Sequence, residues 1–194
     1  MKDQYIAAIA GSAGSHHALL ELFDHTPHDH VSYIILRHLP LTYRSQLRAI
    51  LLRHSSLAIK EIRHGMVLRD DTIYIAPPAK YVGIERNVFF FAERTEPVNR
   101  TADVFLKSLA ANSGNRAMAI IMAGVLNDGS GGIMKIHEAG GFVIAQDPST
   151  SVYREMPENA IRTGCVDEIA TIRDMPRIIR DHVEKTKLIS TLNK

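Results

Sequence analysis

Tyr5-Ile6-Ala7-Ala8-Ile9-Ala10-Gly11-Ser12-Ala13-Gly14-Ser15 sets the architecture of this chain. Residues 5–10 carry no charge and are short and apolar, as a strand buried on both faces requires. The small residues that follow make a tight turn, and Ala18, Leu19, Leu22 and Phe23 then recur at helical spacing. Strand, turn and helix in this order are the opening unit of a doubly wound sheet. Further strands of the same kind are expected at 31–36, 73–76, 118–123 and 142–145. Leu47, Ile50 and Leu51, with Arg48 between them, lie in a second helix. Asp103, Leu106 and Leu109 lie in a third, and Ile133, Met134 and Ile136 in a fourth.

The expected fold is therefore α/β: a three-layer, mostly parallel sheet with helices on both faces. Residues 80–91 differ, because two short apolar runs flank Arg86-Asn87, where Asn accepts a left-handed turn position. They predict a hairpin appended to the sheet. Residues 94–99 and 148–157 are expected to be loops. The chain is expected to form one domain over 1–184, with a tail at 185–194 that either extends the last helix or frays.

Composition narrows the function. The 194 residues are 45% hydrophobic, enough for a sizeable core, and 23 Lys+Arg against 21 Asp+Glu leave a net charge of only +2. That balance demands neither nucleic acid nor an anionic membrane. The single cysteine, Cys165, forms no intramolecular disulfide, and Met1-Lys2-Asp3-Gln4 leads into too short an apolar run for a signal peptide. A reducing, cytoplasmic location is expected. With no stretch of membrane-spanning length, any membrane connection is expected to run through a partner.

In a parallel sheet, chemistry gathers where strands end at their carboxyl edge. Ser12, His38 and Asp128 all follow proposed strands there. A serine hydroxyl becomes a good nucleophile once an imidazole takes its proton, and the imidazole needs a carboxylate to hold its tautomer. The order Ser, His, Asp departs from the common hydrolase order Ser, Asp, His, but a triad is defined by geometry. Each residue also has a plain structural reading. Ser12 serves equally as a turn residue, His38 as the residue leading into a helix beside Pro40, and Asp128 as a cap for a helix beginning near Gly129.

Other features point elsewhere. Asp24-His25-Thr26-Pro27-His28-Asp29-His30 holds enough ligand types for a metal, but without regular spacing and at the opposite sheet edge, so a solvated loop is expected. His16 and His17 either line an entrance or face solvent. The serine turn lacks the third glycine of a dinucleotide fingerprint and any phosphate-loop lysine. Cys165 reads as a small core residue rather than a nucleophile.

The motifs together resemble the catalytic domain of the chemotaxis receptor protein-glutamate methylesterases, CheB. The resemblance rests on the Ile9-to-Ser15 turn, Arg37-His38-Leu39-Pro40, Asp71-Thr72-Ile73-Tyr74-Ile75-Ala76-Pro77 and Pro97-Val98-Asn99-Arg100 followed by Ala102-Asp103-Val104-Phe105. It continues through Asn127-Asp128-Gly129, Ala145-Gln146-Asp147, Met156-Pro157 and Ala160-Ile161, from about residue 5 to about 167. It implies Ser12 as nucleophile, His38 as general base and then acid, and Asp128 as the residue orienting His38. Oxyanion or substrate contacts would fall at Ala13, Val125, Asn127 and Met156, with backbone N–H groups at Ala13 and Val125 as the sensible donors.

The implied reaction is hydrolysis of γ-glutamyl methyl esters on the cytoplasmic helices of methylated chemoreceptors, releasing methanol, with glutamine deamidation in some members. No metal or organic cofactor is implied. The turn departs from the family at Ala10, at Ala13, where a hydroxyl-bearing residue is frequent, and at Ser15, where a glycine is common. The Arg100-to-Ala102 connection is shorter than usual and resembles the form fused to a methyltransferase in hybrid proteins. With the first strand starting near Met1, no receiver domain is expected within the chain, and the activity is expected to be unregulated or controlled by a separate receiver protein or by localisation to a receptor cluster. A docking module of the same fold, without hydrolysis, is the alternative these departures leave open.

Overall fold

The computed structural model describes residues 4–37, 46–78, 80–94 and 100–192. Parallel strands form one sheet of seven, in the order β3-β4-β2-β1-β7-β8-β9. They are β1 (Tyr5–Gly11), β2 (Val31–Arg37), β3 (Ala58–Glu61), β4 (Thr72–Ile75), β7 (Ala117–Ile121), β8 (Phe142–Gln146) and β9 (Glu168–Ala170). β5 (Tyr81–Glu85) and β6 (Val88–Ala92) make the separate antiparallel hairpin. Its turn places both Arg86 (φ 50°) and Asn87 (φ 62°) in the left-handed region, the geometry that matches strand twist.

The two faces are filled by alternate residues of the same strands, as the pleat dictates. On one face Ile6, Ala8 and Ala10 meet α3 (Thr101–Ser113), α4 (Ser130–Glu138), α5 (Glu155–Arg162) and the hairpin, through Leu106, Ile133, Met156 and Phe89. On the other, Tyr5, Ala7 and Ile9 meet α1 (Ser15–Asp24), α2 (Leu47–Leu51) and α6 (Met175–Leu192), through Leu22, Leu51 and Ile179. The α/β sandwich expected from the sequence is present, with the appended hairpin.

Differences from the expected elements have physical reasons. β3 and β9 were not anticipated: they are the sheet's edges, mostly exposed and carrying Lys60, Glu61 and Glu168, so they lack an apolar run. The expected loop at 148–157 ends earlier, since α5 begins at Glu155 and holds Pro157 in its first turn, where a missing N–H costs nothing. α6 continues through the expected tail to Leu192. Cys165 is half-buried in the loop after Gly164 rather than a core residue.

Strand order turns at β1: the chain builds β2 and β4 on one side, then returns to lay β7 and β8 on the other. The crevice above the β1 and β7 carboxyl ends is thus the topological switch point, where ligands bind in such sheets. Ser12 leaves β1 at this place.

Candidate active site

Ser12 is half-buried on the turn joining β1 to α1. Its N–H donates to the Ala123 carbonyl at 3.0 Å, which ties the turn to the β7 side of the crevice. Its carbonyl accepts the Ser15 N–H (3.2 Å) and the Ser15 hydroxyl (2.8 Å). Ser15, the departure from the family pattern, is therefore buried and spends its hydroxyl on the turn itself. It fits because Gly11 has no side chain: a Cβ at position 11 would lie 2.7 Å from Ser15 Cβ. Gly14, at φ 78°, then turns the chain into α1. Among the described residues the Ser12 hydroxyl and the Ala13 N–H make no hydrogen bond.

The loop after β7 comes up against this turn. A Cβ at Gly124 would stand 3.0 Å from Ser12 Cβ and 2.1 Å from Met156 Sδ, so only glycine allows this approach. Met156 is buried and supports the loop from below, its N–H donating to the Gly124 carbonyl at 3.1 Å. Gln146, at the end of β8, accepts the Ala123 N–H at 2.9 Å. Val125, next to Gly124, is half-buried, and its N–H makes no hydrogen bond among the described residues.

Asp128 is buried on the same loop, and its two oxygens accept the N–H groups of Ala102 (2.9 Å) and Asp103 (3.0 Å). It caps α3, not the helix beginning at Ser130. That helix, α4, is capped by Asp103, whose Oδ1 accepts the N–H groups of Gly129 (3.1 Å) and Gly132 (2.8 Å). The two aspartates thus exchange helices: each satisfies the orphan donors of the element that carries or adjoins the other. Arg100 adds a guanidinium 3.3 Å from Asp103 Oδ2 and from the exposed Asn127 Oδ1. The arrangement fixes the loop at Asp128 through backbone N–H groups of α3.

His38 lies outside the described residues. Arg37, which precedes it, is the last residue of β2 and pairs with Gly11, the residue before Ser12. On this side His16 is half-buried. Desolvation first, then the Arg37 guanidinium, lowers its pKa below the ordinary imidazole value. His17 is exposed, as one of the two sequence readings has it. The histidine run at 24–30 is held by ordinary partners: His28 approaches Ser56 at 3.1 Å, and His30 lies 3.4 Å from Asp71. Among the described residues no three metal-ligating side chains are grouped for an ion.

Asp103, Gln146, Glu155 and Asn159 position the site and were not assigned roles from the sequence. Their signal was faint: Asp103 is a carboxylate in the first turn of an otherwise apolar helical face, where a capping role is natural.

A serine on a strand-to-helix turn at the switch point, beside a loop anchored through a buried aspartate, defines a doubly wound α/β domain with a candidate site at that serine. The chain belongs to the CheB methylesterase family, whose model matches residues 7–179. It is 31% identical over 185 residues to the protein-glutamate methylesterase/protein-glutamine glutaminase of Nitrosomonas europaea, covering 92% of this chain and 52% of that protein. It is 30% identical over 180 residues to protein-glutamate methylesterase/protein-glutamine glutaminase 2 of Rhizobium johnstonii, covering 90% and 49%. The chain thus spans about half the length of these curated relatives. The crystal structure of the Thermotoga maritima CheB methylesterase catalytic domain superposes with a TM-score of 0.84 at 26% identity, covering 92% of this chain and 98% of that one.

Proposed function

We propose that the chain is a serine esterase that hydrolyses γ-glutamyl methyl esters of a chemoreceptor-type protein and releases methanol. The observation that carries this reading is Ser12: a half-buried hydroxyl without a hydrogen bond among the described residues, held on a rigid turn against Gly124 at the sheet's switch point. In the proposed reaction, Ser12 Oγ attacks the ester carbonyl as His38 takes its proton. The N–H groups of Ala13 and Val125 receive the oxyanion. Collapse breaks the ester C–O bond, His38 protonates the departing methoxide, and a water activated by His38 then releases the glutamate and Ser12. Asp128 holds the His38 tautomer.

The same acyl chemistry, with ammonia leaving instead of methanol, would deamidate a glutamine. The names of the relatives pair these two activities. No helix among the described residues is long and apolar enough to cross a membrane. As part of this proposal, the reaction takes place in the cytoplasm, on the cytoplasmic domain of the receptor. The domain that carries it extends over residues 1–184, with 185–194 as a C-terminal extension.

The test is methanol release from a chemoreceptor cytoplasmic fragment carrying methylated glutamates. Release by the chain that disappears in Ser12→Ala supports the proposal. Release that persists in Ser12→Ala removes Ser12 as nucleophile, and binding of the fragment without release by either protein favours the docking module.

A further inference from the structure

Five non-glycine residues among those described have positive φ, and Leu126 is the only apolar one. At φ 67° it occupies the left-handed region, which a leucine side chain disfavours, yet the residue is 61% exposed and stands outside the buried core. Two side chains of α5 enforce it. Glu155 Oε2 accepts the Leu126 N–H at 3.0 Å, and Asn159 Nδ2 donates to the Leu126 carbonyl at 2.9 Å. The fold therefore grips the backbone on both sides of one residue and leaves its apolar side chain in solvent.

Leu126 is not isolated. It lies two residues after Gly124, which abuts Ser12, and the Gly124 N–H donates to the Tyr153 carbonyl at 2.8 Å. Tyr153 and Val152, both exposed, border Gly14 on the serine turn itself, where a Cβ would lie 2.8 Å from the Tyr153 ring. Exposed apolar groups thus flank Ser12 on the β7 side, while Arg37, His16 and His17 occupy the β2 side.

We propose that Leu126 is a specificity-determining residue, seating the aliphatic side chains of the receptor segment that bears the methyl ester. This rests on the esterase reading above. A glutamyl ester on a helix has neighbours three and four residues away on the same face, about 5–6 Å off, within reach of a lip beside the nucleophile. The neutral ester also suits an apolar lip backed by the Glu155 carboxylate, whereas the glutamate product brings a negative charge to it.

The test compares Ser12→Ala with Ser12→Ala/Leu126→Gly for binding of the methylated cytoplasmic fragment by fluorescence anisotropy. Methanol release by wild type and Leu126→Gly is followed in parallel. Loss of an exposed leucine contact should weaken binding about fivefold and raise KM by a similar factor at nearly constant kcat. The melting temperature should not fall, because glycine is at ease at this φ. Binding within twofold of the parent overturns the inference while leaving the esterase reading intact. A lower kcat at unchanged KM also overturns it, because Leu126 would then shape the loop rather than contact substrate. Failure of the wild type to release methanol overturns the esterase reading and this inference with it.

Discussion

The turn at residues 11–15 and the loop at residues 122–129, with the start of α4, flank the same crevice, but they are held by different means. The serine turn is built from small residues that are neighbours in sequence: Gly11 makes room for Ser15, Ser15 closes on the Ser12 carbonyl, and Gly14 reverses the chain. The loop is fastened from a distance, by Asp103 on α3, Gln146 on β8, and Glu155 and Asn159 on α5. A local turn is a backbone solution, cheap in side chains. The loop carries a buried aspartate and draws anchors from three other elements.

Asp128→Ala should separate the two regions most sharply. It removes the α3 cap and the proposed orienting group together, so methanol release should fall by about 10⁴-fold and stability by about 2 kcal/mol. Asp128→Asn keeps one acceptor oxygen and should lose most of the activity at a smaller cost in stability. Equal activity for wild type and Asp128→Asn across pH would confine Asp128 to capping. Asp103→Ala strips two N–H groups at the start of α4 of their acceptor and should destabilise by about 2–3 kcal/mol, with activity falling because the loop loosens, as chemical denaturation and initial rates would register.

Within the serine turn, Gly11→Ala forces a methyl into Ser15 and should cost about 1–3 kcal/mol. Gly11→Ala/Ser15→Gly should recover much of it. A double-mutant cycle without coupling would contradict the proposed fit of these two residues. The smallest effect is expected from Asn159→Ala, which frees the Leu126 carbonyl to water. It should cost about 1 kcal/mol or less and raise KM modestly, without the large rate loss expected at Asp128.

The same contrast explains what the sequence made legible. β1, its turn and α1 were readable because burial on both faces, the small-residue turn and the helical period all lie within about 20 consecutive residues. Ser12 and Asp128 were singled out as candidates because they follow the ends of apolar strands. The reciprocal capping was not legible, because the structural reading of Asp128 was a cap for the helix that follows it, whereas it accepts the N–H groups of Ala102 and Asp103, more than 20 positions earlier. Edge strands β3 and β9 were hidden for a related reason: pairing along one side only leaves them charged and short. Glu155 and Asn159 act through side-chain bonds to one backbone unit, which no periodicity announces. His38 was legible as a candidate from its place after the second strand and lies outside the described residues.

The central claim is that the small-residue turn presents Ser12 as an activated nucleophile. It is tested most directly by treating the folded chain with an active-serine phosphonate reagent and mapping the adduct by peptide mass spectrometry. The account predicts one stoichiometric adduct on Ser12, strongly slowed by Asp128→Asn and abolished by Ser12→Ala. A folded protein left unmodified, or labelled elsewhere with Ser12 untouched, would contradict it.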